Sequence, residues 1–152
     1  MKIRECMSTD VRIARPDDTL ETVAQAMAEI DAGAMPVGED DRLVGMITDR
    51  DIAVRGVAHG LGPEDLVGDV MSTDVMYCFE DEAVEHVLDN MGDIQVRRLP
   101  VLDREKRLVG IVSLGDLAKT GVRAKTGTAL GDISRKGGHH SQTTDGVGLA
   151  LD

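Results

Sequence analysis

Two short stretches place a hydroxyl and a carboxylate at the same spacing behind a glycine. In "VGMITDRDI", residues 44–52, Thr48 precedes Asp51 by three positions; in "VGIVSLGDL", residues 109–117, Ser113 precedes Asp116 by three. Each reads as an apolar strand that runs into a polar knot at a helix start. There, a Thr or Ser hydroxyl and the unpaired N–H groups of the first helical turn can meet a phosphate oxygen. A carboxylate three residues on can accept both hydrogen bonds of a ribose diol, as acidic residues do in dinucleotide folds. The same residues also suit a second task. Thr48 or Asp49 can cap a helix, with Asp51 in the first turn complementing its dipole. The knots differ between hydroxyl and carboxylate, where one has Arg50 and the other Gly115. Gly115 permits close backbone approach.

The elements that must hold these knots occur twice. "MSTDV" at residues 7–11 recurs unchanged at 71–75, 64 residues on. In the same register Val23 meets Val87, Met27 meets Met91, Ile30 meets Ile94, and Pro36-Val37 meets Pro100-Val101. One extra residue then makes the offset 65, so that Arg42-Leu43-Val44-Gly45 matches Arg107-Leu108-Val109-Gly110 and Asp51 matches Asp116. Such a register establishes an internal duplication. Each copy carries a helical stripe, Leu20, Val23, Met27 and Ile30 in the first and Val84, Val87, Leu88 and Met91 in the second. Asp18 or Thr19 can cap the first helix, with Glu21 in a capping-box position. "MPVG" and "LVGMIT", then "LPVL" and "LVGIVS", read as strand pairs around the polar turns "EDDR" and "DREKR". Second helices are expected over 49–57 and from 115–119.

The pattern divides the chain into repeat 1 (1–58), a linker (59–68), repeat 2 (69–120) and a C-terminal tail (121–152), partly mobile, rich in Gly, Ser, Thr and Asp. A unit of about 60 residues buries only about 60% of its unfolded surface. Two copies are therefore expected to share one core as a pseudo-twofold α/β (α+β) domain, each a short mixed sheet with two helices.

In order, "MSTDV", the helix, "GAMPV" or "RRLPV", and "LVGMITDRDI" or "LVGIVSLGDL" together resemble the CBS domain, named after cystathionine β-synthase. Two in tandem resemble a stand-alone Bateman module. The resemblance spans roughly residues 1–119 and implies a regulatory, signal-transducing sensor with no enzymatic activity and no obligatory cofactor. The implied regulatory ligand is an adenine nucleotide (AMP, ADP or ATP), or alternatively S-adenosylmethionine or NAD. The alternative function is a ligand-free interaction or scaffolding module with the CBS shape only.

By the same resemblance, Asp51 and Asp116 hold ribose, and each pocket is completed by the other repeat. The favoured site then joins Thr48, Arg50 and Asp51 to Val75, Met76, Arg97 and Arg98. The second joins Ser113 and Asp116 to Val11, Arg12, Gly33 and Ala34. Guanidinium groups suit a phosphate, which ranks the first site ahead. Met46 and Ile111, two positions before the hydroxyls, are candidates to sandwich adenine. A homodimer and a regulated protein of unknown identity are the other implied partners.

Composition narrows the alternatives. With 17 Lys and Arg against 28 Asp and Glu, the net charge of −11 disfavours nucleic acid and membrane surfaces, both polyanionic. No apolar run has the length of a bilayer span, and the N-terminus lacks a signal-peptide core, so a cytoplasmic protein is expected. Tyr77 and Phe79 are the only aromatic residues, too few for a base-stacking surface, and eight Met residues help fill an aliphatic core. Cys6 and Cys78 are expected to be reduced thiols. His59 falls in the linker and His86 on an exposed helix face. His139 and His140 form no metal site without a third ligand. No Walker-type phosphate loop, no GxSxG elbow and no paired acid/base spacing occurs.

Overall fold

The computed structural model describes residues 1–94 and 96–120; the expected tail, with its His pair, lies outside them. The chain is mixed α/β and forms two compact units whose limits are offset from the repeats. One is Arg12–Val75; the other joins Met1–Val11 to the described residues from Met76 to Thr120.

In the unit Arg12–Val75, helix α1 (Leu20–Ile30) is followed by strands β1 (Ala34–Glu39) and β2 (Arg42–Thr48). Leu20, Val23 and Met27 turn inward as the periodicity requires, whereas Ile30, at the helix end, stays exposed. Thr19 is the cap, accepting from the Thr22 N–H at 3.1 Å. Asp18 and Glu21 do not form the expected box. The Asp18 carboxylate accepts instead from the Arg15 N–H at 2.8 Å. β1 and β2 pair antiparallel from Ala34–Thr48 to Glu39–Arg42. Their two-residue turn holds Asp40 and Asp41 at φ 52° and 63°, the left-handed pair that matches strand twist. Ala14 adds a parallel bridge to Val37. The core comprises Ala14, Leu20, Val23, Met27, Met35, Val37, Ile47, Val67 and Val70.

The linker belongs to this fold. The Leu20 N–H donates to the Asp65 carbonyl at 2.8 Å and the Glu21 N–H to that of Pro63 at 3.1 Å. Two first-turn N–H groups of α1, which have no partner inside the helix, are thus satisfied.

The other unit repeats the plan with different chain segments. Its sheet runs β3 (Cys78–Phe79), β4 (Arg98–Leu102), β5 (Leu108–Ser113), with β3 parallel and β5 antiparallel to β4. Helix α2 (Val84–Ile94) buries Val84, Val87, Leu88 and Met91, and α3 (Leu114–Ala118) follows β5 directly. Here the N-terminal residues replace the linker. The Val84 N–H donates to the Met1 carbonyl at 3.0 Å, and the N–H groups of Ile3 and Arg4 reach the carbonyls of Glu82 and Glu80.

Each "MSTDV" therefore docks on the sheet of the copy to which it does not belong in sequence. Ser72 exchanges two backbone hydrogen bonds with Met46, at 2.9 and 2.8 Å, and Ser8 does the same with Ile111 at 2.9 Å each. The glycine of each motif makes this approach possible. A Cβ on Gly45 would stand 2.7 Å from the Ser72 carbonyl oxygen, and one on Gly110 would stand 2.7 Å from that of Ser8.

The second helices depart from expectation. The segment after Thr48 is a π-helix over Asp51–Gly56 followed by a 3-10 turn at Val57–His59. Asp51 and Gly56, five residues apart, are both buried. Positions five apart align in a helix bonded i to i+5, but diverge in an α-helix of about 3.6 residues per turn. The Val57 N–H, shared between the carbonyls of Ala53 and Ile52, records the competition between the two geometries. In the second copy the helix starts at Leu114, one residue before the expected Gly115.

Candidate functional site

Both knots form the same reciprocal cap. The Asp51 N–H donates to Thr48 Oγ1 at 3.0 Å, and the Thr48 N–H donates to Asp51 Oδ2 at 3.0 Å. Ser113 and Asp116 repeat this at 3.1 and 3.0 Å. Each pair satisfies a helix-start N–H and fixes hydroxyl and carboxylate side by side at the end of a strand.

Their surroundings differ. Thr48 is 0% and Asp51 3% exposed, whereas Ser113 and Asp116 are half-buried. Burial pushes the Asp51 carboxyl above its ordinary value; the two Thr48 hydrogen bonds, then Arg55 and Arg50, pull the other way without cancelling it. Asp51 Oδ1 stands 3.9 Å from Arg55 Nη1, which itself donates to Ser72 Oγ at 3.3 Å. Neither Arg55 nor Ser72 was among the residues expected from sequence. The signals were there: Arg55 lies four positions after Asp51, and Ser72 is the serine of the duplicated "MSTDV".

Met46, Thr48, Arg50, Asp51 and Val75 lie in the unit Arg12–Val75, together with Arg12, Gly33 and Ala34. Val11, Met76, Arg97, Arg98, Ile111, Ser113 and Asp116 lie in the other. Within each unit the strand pairing puts a different neighbour beside the knot. Ala34 is opposite Thr48, and the Gly33 carbonyl accepts from the Asp49 N–H at 2.9 Å. Arg98 is opposite Ser113, and the Arg97 carbonyl accepts from the Leu114 N–H at 3.0 Å. Cross-strand partners share a face, so Arg98 brings a cation to the Ser113 side of the sheet. Arg12 is paired with Glu29 at 2.7 Å, both exposed. Met46 is fully buried and Ile111 half-buried.

The thiols are poor nucleophiles. Burial, with smaller contributions from Glu82 and Cys6, pushes Cys78 up to about 12, and burial followed by Asp116 raises Cys6. Among the described residues no three His, Cys, Asp or Glu side chains gather to hold a metal ion, and no helix is long and apolar enough to cross a membrane.

The CBS domain family model matches residues 3–56 and 67–122. The chain belongs to the CBS domain family. It is 38% identical over 138 residues to the CBS domain-containing protein YhcV of Bacillus subtilis, covering 90% of this chain and 98% of that one. It is also 42% identical over 118 residues to Hypoxic response protein 1 of Mycobacterium tuberculosis, covering 76% of this chain and 82% of that one. The crystal structure of Hypoxic Response Protein I, which holds two coordinated zinc ions, superposes with TM-score 0.71 at 40% identity over 78% of this chain and 98% of that one. The CBS domain pair of MJ0100, solved with 5′-methylthioadenosine and S-adenosyl-L-methionine, gives TM-score 0.69 at 25% identity over 82% and 98%. The two matched segments make this chain a tandem CBS pair, and its knots occupy equivalent strand-to-helix turns in the two copies.

Proposed function

We propose that this CBS pair is a regulatory module whose two knots take an adenosine-bearing ligand and report its occupancy to a partner protein. The ligand class is an adenine nucleotide such as AMP, ADP or ATP, with S-adenosylmethionine or NAD as alternatives. The observation that carries the reading is the twofold occurrence of hydroxyl and carboxylate fixed side by side at a strand end. A carboxylate whose Oδ2 holds the cap can still offer Oδ1 to a ribose hydroxyl, and the hydroxyl and first-turn N–H groups suit a phosphate. The MJ0100 pair, solved with two adenosine compounds, supports the class.

The knots are proposed to be unequal. Ser113 and Asp116 are half-buried with Arg98 across the strand, which favours first occupancy there. The arginines expected around Thr48, Arg50 and Asp51 had ranked that knot first, but its buried hydroxyl and carboxylate must open before a ligand can reach them. The proposed contacts of Val75 and Met76, and of Val11, Gly33 and Ala34, follow the family likeness, as do the cytoplasmic setting and the homodimer.

One observation favours a second reading, a scaffold that binds no small molecule. Both knots are complete as helix caps, and such a cap needs no ligand.

Thermal unfolding with AMP, ATP, NAD and S-adenosylmethionine separates the two. A ligand of the folded state raises the midpoint by mass action, stabilising the fold by about 2.7 kcal/mol at a hundredfold excess over Kd. Asp116→Ala is expected to abolish the first binding event and Asp51→Ala to affect a weaker one. No shift with any of the four at millimolar concentration sinks the sensor reading and leaves the scaffold.

A further inference from the structure

Arg55 has a place in the Arg12–Val75 unit that neither the strand-to-helix motif nor the duplication assigns. Its Nη1 lies between two elements, 3.3 Å from Ser72 Oγ and 3.9 Å from Asp51 Oδ1. Asp51 and Ser72 are 3% and 5% exposed, while the arginine side chain is 44% exposed. Ser72 is further held by its two backbone hydrogen bonds to Met46. The segment 71–75 ends at Val75, the last residue of this unit's main span before the chain passes into the other unit at Met76.

The second copy has the same segment without the arginine. Ser8 bridges Ile111 as Ser72 bridges Met46, yet Ser8 is exposed. The residue at the Arg55 position is Thr120, whose hydroxyl donates to the Leu117 carbonyl of its own helix. The difference is therefore specific to one copy, although the caps and backbone bridges are shared.

We propose that Arg55 is a positioning residue that latches the Thr48–Asp51 knot to segment 71–75. A ligand hydroxyl that takes Asp51 Oδ1, or a ligand phosphate that takes the guanidinium, competes with this latch. Occupancy of that knot then loosens the segment that leads out of the unit. This coupling rests on the ligand-binding reading above; the latch itself does not.

Amide hydrogen exchange on the full chain tests both parts. Without ligand, Arg55→Ala and Ser72→Ala are each expected to speed exchange of the Ser72 and Met46 amides about threefold, the scale of one lost hydrogen bond. The double variant is expected to add nothing further, because both changes break one contact. Arg55→Lys, which keeps the charge but loses the fork, falls between. Unchanged exchange in Arg55→Ala, or additive effects in the double variant, overturns the latch. With saturating AMP or S-adenosylmethionine, wild type is expected to exchange faster at 71–75, and Arg55→Ala to show no further change. A thermal shift that persists in Asp116→Ala without that change, or one that Asp116→Ala removes altogether, overturns the coupling and leaves the functional reading. Failure of wild type to bind any of AMP, ATP, NAD and S-adenosylmethionine overturns both, with the latch still decided by the ligand-free variants.

Discussion

The two strand-to-helix turns share a backbone plan and differ in what surrounds it. Thr48–Asp51 and Ser113–Asp116 have the same reciprocal bonds within 0.1 Å, at 3.0 and 3.0 Å against 3.1 and 3.0 Å. One pair is buried, faces Arg55 and starts a π-helix; the other is half-buried, faces Arg98 across the strand and starts an α-helix. Duplication thus preserved the part that the backbone requires. The parts that set charge and access diverged, since a cap constrains two side chains and leaves their neighbours free.

The largest expected effect probes what the copies share. Gly45→Ala and Gly110→Ala each drive a Cβ to 2.7 Å from a backbone oxygen, which a docked segment can relieve only by shifting. Each is expected to cost about 1–3 kcal/mol in urea unfolding, at the scale of overpacking. A cost in one copy alone would break the equivalence of the two docked segments.

The caps come next and probe the difference. Thr48→Ala, at a position with no exposure, should cost about 2 kcal/mol, and Ser113→Ala, half-buried, about 1 kcal/mol. Water can replace a lost cap partner only where it has access. Equal losses would show that burial does not distinguish the knots.

The smallest effect is in pH dependence, where the units oppose each other. Because burial raises Asp51 in the folded chain, folding favours its neutral form. Stability from that form is present at low pH and is lost as pH rises from the ordinary 3.8 through the raised folded value. Asp51→Asn removes the ionisation, so wild type should lose ground against this variant as pH rises through that window. In the other unit, Asp81 is held low by hydrogen bonding to Arg104, and Asp103 by the Arg107 backbone N–H. Their contributions are present at neutral pH and are lost as pH falls through the lowered values. Urea midpoints of wild type and Asp51→Asn between acid and neutral pH check the sign. A constant difference between them would remove the case for a strained carboxylate.

Much of this architecture was legible because it follows local rules. The stripes at Leu20, Val23 and Met27 and at Val84, Val87, Leu88 and Met91 placed both helices, and the polar turns placed both hairpins. The cap alternative for Thr48 and Asp51 was also readable, since their spacing of three is that of a capping box. Less was legible where a residue's partner is distant in sequence. Nothing local assigns "MSTDV" at 71–75 to β2, or Met1 to the first turn of α2. Ile30 fits the apolar stripe and yet stays exposed, because the stripe does not say where the covering surface stops.

The sequence by itself determined the duplication, the two strand-to-helix turns and the identity of each hydroxyl–carboxylate pair. These depend on spacing along one helix or strand, which fixes the geometry within a turn or two. Only the tertiary structure decided that each copy is completed by the segment preceding the other, and why Gly45 and Gly110 stand where a carbonyl must approach. It also decided which carboxylate is buried and that Arg55 reaches Ser72, 17 residues away in sequence. Burial and long-range pairing depend on what the rest of the chain packs against a residue, and no local spacing carries that information.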